Sequence, residues 1–348
     1  VTARTPGDLL RAHAVHAGTF DEAHYSTFWH RFGRLSRGRL KLLKLYVDDP
    51  QFTLSRAATL AAVPSMSARS LANTAYGLAR AGAARAPPWD ALWAALEDQL
   101  AARAAELKTQ ELVNALWAAA RSDRDARHVH GAGGDRPIYA ALAAEAHARL
   151  EHFNAQDFST TLWALATAGR ASPALFDAAA TAALPKLREF TPHAFSTSAW
   201  AYATAGVAAP KLFDAMAGEV CARPAESFAA SPQAVSNMAW AYASARHAAP
   251  ELFDALATAA ESCATQLHPQ ARASATCHPG LSRRRRLTAS PATWQGLANL
   301  AWAYATARHS APSLFAAIAD QAVVRASEFS PLDVANCTQA RPTAVPPP

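Results

Sequence analysis

The stretch Val235-Ser236-Asn237-Met238-Ala239-Trp240-Ala241-Tyr242-Ala243-Ser244-Ala245, followed by Ala249-Pro250-Glu251-Leu252-Phe253-Asp254-Ala255-Leu256, decides the fold. Its first part is alanine-rich and periodic, and Pro250 suits the first turn of a new helix, so the unit reads as a helix, a break and a second helix. The unit returns at 196–203 with 210–215, and at 298–305 with 312–315. Looser copies stand at 70–80, 112–118 and from 154 onward, and 20–30 is a degenerate first copy with His30 where later copies have Trp. The aromatic positions Tyr76, Trp117, Trp163, Trp200, Trp240 and Trp302 recur at about 40 residues, the period of two-helix repeats.

Composition agrees. The chain has 348 residues, 51% hydrophobic and 17% charged, which exceeds one compact core and suits closely packed helices. The expected fold is all-α, a right-handed α-solenoid of about seven helix-turn-helix repeats. No apolar run is long enough to span a membrane, so no membrane insertion is expected. Four dispersed cysteines without a CxxC pair suggest neither a disulfide framework nor zinc. His128 and His130 lack a partner ligand at metal spacing and are read as loop residues. A net charge of +6 permits a polyanionic partner without requiring one.

The expected organisation is a basic N-terminal helical region over 1–62, repeats over 63–272 with a loop insertion at 121–137, and a disordered basic insertion at 273–292. A final repeat with the start of a truncated one fills 293–340, and 341–348 is a proline-rich tail. The insertion carries Arg283-Arg284-Arg285-Arg286; an RNA contact or a nuclear address competes with a disordered loop or a gene-model artefact, and the non-functional reading is preferred because no helical period contains the arginines. Ser231-Pro232, Thr191-Pro192 and Ser330-Pro331 are helix starts with an N-cap hydroxyl. Gly82, Gly169 and Gly206 mark helix ends, with Arg246 and Arg308 at that place in later copies.

Three stripes run along the first helix of each unit. Val235, Ala239 and Tyr242 face Leu252, Phe253 and Leu256 of the second helix. Trp240 lies off that stripe, so the Trp and Tyr columns are read as core between stacked units, with base-stacking platforms as the sharper alternative. The third stripe is polar: Gln233, Asn237 and Ser244, with counterparts Gln295, Asn299 and Thr306; His193, Thr197 and Thr204; Gln156, Thr160 and Thr167; Gln110, Asn114 and Arg121; Arg69, Asn73 and Arg80; and Thr27 with Arg34 in the first copy. Amides bond base edges and arginines hold phosphates, so the strip is the candidate site for single-stranded RNA. Its competitor is hydrogen bonding between neighbouring helices. The adjacent column, Thr74, Ala115, Thr161, Ser198, Met238 and Leu300, varies between copies and is the candidate for base specificity.

Pro232-Gln233-Ala234-Val235-Ser236-Asn237-Met238-Ala239-Trp240-Ala241-Tyr242-Ala243 and Gln110-Glu111-Leu112-Val113-Asn114-Ala115-Leu116-Trp117-Ala118-Ala119 resemble the octotricopeptide repeat family, with its PQ-x-L-x-N-x-L-W-A-L-A core, over residues 20 to 338. The resemblance implies a chloroplast or mitochondrial factor that binds a particular transcript and supports its processing, stability or translation, with other proteins as possible partners in a ribonucleoprotein. A transit peptide is not visible and the N-terminus is read as incomplete. Many relatives end in a RAP domain, which is not seen here, and Thr160 and Thr197 replace the family's Asn. No enzyme, cofactor or small-molecule substrate is expected: there is no glycine-rich phosphate loop, HExxH or GxSxG, and Asp177, Asp214 and Asp254 recur at one position as scaffold residues do. The alternative function is a protein-interaction scaffold of the tetratricopeptide or armadillo kind.

Overall fold

The computed structural model describes residues 3–36, 46, 48–130, 136–266 and 292–324, which hold sixteen α-helices and no strand. Contacts divide the chain into two units, 1–179 and 180–348. Of the expected features, Arg37, Arg39, Lys41 and Lys44, the insertion 273–291 with its four arginines, and the truncated copy begun by Ser330-Pro331 lie outside the described residues.

The first unit contains α1 (Pro6–His16), α2 (Glu22–Leu35), α3 (Pro50–Ala62), α4 (Ala68–Ala81), α5 (Asp90–Ala102), α6 (Thr109–His130), α7 (Pro137–Ala148) and α8 (Ala155–Ala168); α9 (Pro173–Ala183) crosses the boundary. One layer is α2, α4, α6 and α8, each packed on the next, and the other is α1, α3, α5 and α7 in the same neighbour-to-neighbour order. Local sequence starts these helices. Thr5 with Asp8, and Asn154 with Asp157, form reciprocal capping boxes that satisfy otherwise orphaned N–H groups. Glycine permits the tightest packing: a Cβ on Gly77 would lie 2.4 Å from the Trp29 carbonyl carbon, and one on Gly33 2.5 Å from the Gly77 carbonyl oxygen. The backbones of α2 and α4 therefore cross nearly in contact.

The second unit contains α10 (Pro192–Ala205), α11 (Pro210–Cys221), α12 (Ala225–Ala229), α13 (Pro232–Ser244), α14 (Pro250–Gln266), α15 (Ala292–Ala307) and α16 (Pro312–Val324). Again α10, α13 and α15 form one layer and α11, α14 and α16 the other. Val235, Ala239, Tyr242, Leu252, Phe253 and Leu256 are all buried, as their spacing requires. Tyr242 donates its hydroxyl to the Phe213 carbonyl at 2.7 Å, and Tyr304 repeats the contact with Phe253 at 2.6 Å. His247 and His309 bond Asp214 and Asp254 at 2.8 Å, so these two recurring aspartates join successive repeats.

Two local expectations are corrected. Residues 121–130 are not loop: α6 runs to His130, because the Arg121–Asp125 pair at 2.8 Å, the buried Ser122 and the half-buried Asp123 with its Tyr139 bond hold further turns, and the first glycine comes only at Gly131. Ser231 makes no side-chain cap, unlike Thr191, whose hydroxyl accepts from Ala194 N at 3.2 Å; the Ser231 carbonyl receives Ala234 N at 2.8 Å instead. Gly82, Gly169 and Gly206 do take left-handed φ values of 89°, 69° and 67°.

Two arginine features had no counterpart in the sequence reading. Arg103, Arg149 and Arg223 each reach back to the carbonyl of the apolar residue that precedes a first helix, Met66, Leu107 and Phe190 respectively. Arg136 is buried between Glu97 and Asp123, with Tyr139 donating to Asp123 at 2.7 Å. Burial lowers the Arg136 pKa to about 10.

Candidate nucleic-acid interface

The outer face of the first-helix layer carries the polar strip, and the structure adds aromatic rings to it. Asn114, Trp117, Arg121 and Arg124 stand at i, i+3, i+7 and i+10, which places them along one side of α6. Trp117 is therefore half-buried within the strip rather than in the core, as are Tyr76, Trp163, Trp200, Trp240 and Trp302. This corrects the reading of both aromatic columns as core. The Tyr202, Tyr242 and Tyr304 column is buried; the Trp column is not.

In the first unit the rings form a ladder. His30 meets Tyr76 at 6.2 Å and 23°, Tyr76 meets Trp117 at 5.1 Å and 47°, and Trp117 meets Trp163 at 6.5 Å and 30°. Cations flank it. The Arg80 guanidinium lies 5.7 Å from the Tyr76 ring centre and donates to its hydroxyl at 3.2 Å, while Arg124 lies 5.7 Å from the Trp163 ring. Burial, then the charges of Arg80 and Arg34, lower the His30 pKa and favour its neutral form. Arg34 and Arg80 thus share one end of the ladder with His30, and Arg121 follows Trp117 by one turn.

The amides stand beside these rings. Gln110 is exposed and donates to half-buried Asn114 at 3.1 Å. Arg69, Gln156, Thr27 and Arg34 are exposed, and Asn73, Thr160 and Thr167 are half-buried. In the second unit Trp240 and Trp302 approach at 6.5 Å and 32°. Around them His193, Thr204, Gln233 and Thr306 are exposed, and Thr197, Asn237, Ser244 and Asn299 are half-buried. The Ser244 hydroxyl has no hydrogen-bond partner among the described residues. The Gln295 side chain lies outside them.

The base-specificity column does not reach this face. Thr74, Ala115, Thr161, Ser198, Met238 and Leu300 are 0%, 1%, 1%, 2%, 0% and 5% exposed, closed between helices. One residue beyond the strip is a rotation of about 100° around the helix, which carries that column into the seam. Residues so buried cannot touch a base without unpacking the layer. The spacing of Asn to Trp to Arg was the signal that would have found the ladder instead.

Among the described residues, no group of three or more His, Cys, Asp or Glu side chains could hold a metal, and no helix is long and apolar enough to cross a membrane. Compared with protein-family models and with curated proteins, the chain matches none.

Proposed function

We propose that the chain is a sequence-selective single-stranded RNA-binding protein of the octotricopeptide-repeat kind, built as a right-handed α-solenoid of about seven repeats, that supports RNA processing, stability or translation in a chloroplast or mitochondrion. The observation that carries the reading is the ladder His30, Tyr76, Trp117, Trp163, half-buried, flanked by Arg80 and Arg124, with Asn73 and Asn114 one turn away. Half-exposed rings offer stacking to any base, guanidinium groups neutralise phosphates, and the amides can discriminate base edges. Selectivity then belongs to the Gln and Asn strip, with other proteins joining the same transcript.

The experiment is binding of labelled single-stranded and duplex RNA, followed by crosslinking and sequencing of the RNA bound to the full chain. Preferential retention of single strands and enrichment of a defined transcript support the proposal; recovery of nothing above background rejects it.

One observation favours a protein-interaction scaffold. The strip of the second unit, through His193, Thr197, Thr204, Gln233, Asn237 and Ser244, holds no arginine, and in the first unit Arg121 is paired with Asp125. A neutral amide-and-tryptophan face suits an extended peptide, and enrichment of one protein without RNA would select this reading.

A further inference from the structure

Five of the first-layer helices, α4, α8, α10, α13 and α15, are followed by a left-handed residue, and two of these residues are arginine. Arg246 and Arg308 both stand at φ 53°, where Gly82, Gly169 and Gly206 stand at 89°, 69° and 67°. In that region an L side chain crowds its own backbone, and glycine removes the strain. The main chain gains nothing from the exchange. Arg246 N bonds Ala243 O at 3.1 Å and His247 N bonds Tyr242 O at 3.0 Å; at Gly206 the same two bonds run to Ala203 O at 3.3 Å and from Val207 N to Tyr202 O at 3.2 Å. Arg308 and His309 repeat them at 3.2 Å and 3.0 Å.

The side chains do no work inside the fold either. Both arginines are exposed, and neither guanidinium makes a hydrogen bond or ion pair with any described residue, whereas the adjacent His247 and His309 are tied to aspartates. Each arginine lies two residues beyond the polar strip's last member, Ser244 or Thr306, at the end of a helix carrying Trp240 or Trp302. Those two helices, α13 and α15, pack directly on each other. Two of this unit's three first-layer helices, α13 and α15, therefore carry a cation just past the end of a strip that holds no arginine, while α10 ends in Gly206.

We propose that Arg246 and Arg308 are phosphate-contacting residues, one for each successive repeat, holding the phosphodiester backbone of a single strand whose bases lie toward Trp240 and Trp302. A free guanidinium matches a phosphate oxygen pair with two parallel hydrogen bonds, and equal placement on consecutive repeats suits a ligand whose charge repeats along its length. The inference rests on the RNA reading above and assigns the second unit its share of the backbone contacts. A cation at a helix C-terminus also interacts favourably with the helix dipole, and that competing role makes a different prediction.

The test is the full chain carrying R246G and R308G together, titrated with a fluorescein-labelled single-stranded oligouridylate over a series of potassium chloride concentrations, with melting measured in parallel. The proposal expects weaker binding at low salt, a salt slope smaller by about 1.4, since each phosphate contact on a single strand contributes roughly 0.7, and a melting temperature equal to or above that of the unsubstituted chain. R246K with R308K keeps most of the slope, and R246N with R308N, whose side chain tolerates the left-handed region, loses it as glycine does. An unchanged slope in the glycine and asparagine variants overturns the proposal and leaves the RNA reading standing. Lowered melting with unchanged binding assigns the arginines to the helix dipole and overturns it as well. Failure of the unsubstituted chain to bind the oligonucleotide overturns both.

Discussion

Trp117 and Trp163 lie with ring centres 6.5 Å apart and planes 30° from parallel, each half-buried, with Arg124 from the helix of the first set against the ring of the second. That relationship separates two kinds of aromatic residue in one repeat. Tyr242 and Tyr304 are enclosed and spend their hydroxyls on carbonyls of the preceding repeat, so they hold repeats together. The tryptophans are half-buried and approach one another, Trp117 with Trp163 and Trp240 with Trp302.

Replacing Tyr242 by Phe leaves the Phe213 carbonyl without its buried partner. The expected cost is about 1–2 kcal/mol of unfolding free energy, measured by urea denaturation, with RNA affinity unchanged. Burial holds the Tyr242 phenol well above its usual pKa, so the folded state favours the neutral form. Its stabilising effect is complete below the unfolded value near 10 and is lost as pH rises beyond it, so the decline in stability above about pH 10 is shallower in Tyr242→Phe.

Gly77→Ala drives a methyl group into the Trp29 backbone, which no rotamer change relieves. The loss should be about 1–3 kcal/mol or more, read from the denaturation midpoint. Gly218, with nothing within 4 Å of a built Cβ, provides the control: Gly218→Ala is neutral or stabilising, since it lies inside helix α11.

Arg136→Ala removes the buried cation between Glu97 and Asp123; because Glu97 keeps Arg85 at 3.4 Å and Asp123 keeps the Tyr139 hydroxyl at 2.7 Å, the cost should fall at the lower end for a broken buried pair, about 3 kcal/mol. Arg124→Ala, on the partly exposed ladder, should change stability by less than about 1 kcal/mol while weakening RNA binding. Paired denaturation and binding curves check the contrast.

His13 is buried against Phe20, Tyr25 and Phe28, with its Nδ1 beside the Gln51 amide at 2.9 Å, and burial lowers its pKa. His30 is lowered too. For a histidine whose folded pKa is depressed, the unfolded chain takes up protons first, so stability falls as pH drops below the unfolded value near 6.5. Melting of the chain should decline between about pH 7 and 5, and His13→Leu should flatten part of that decline.

The helical layers were legible because alanine-rich periodicity, Pro starts and Gly ends all point the same way at Pro192, Gly169 and Gly206. The ladder was not, although its residues were all singled out: counting Trp240 against Val235, Ala239 and Tyr242 showed it off the core face, and burial was inferred where the i, i+3, i+7 relation to Asn237 and Ser244 places it with the polar strip. Variation at Thr74, Ala115, Thr161, Ser198, Met238 and Leu300 misled for a related reason, since helix seams also tolerate change. The arginine contacts from Arg103, Arg149 and Arg223 span 33 to 42 residues, a distance at which no local pattern announces a partner.

The most direct measurement is the affinity of Trp117→Ala for single-stranded RNA, set beside its unfolding free energy and that of the core variant Trp29→Ala. If the ladder stacks bases, Trp117→Ala weakens binding by about 1–3 kcal/mol and loses less stability than the roughly 3–5 kcal/mol expected for Trp29→Ala. Unchanged affinity in a folded Trp117→Ala protein would contradict the account.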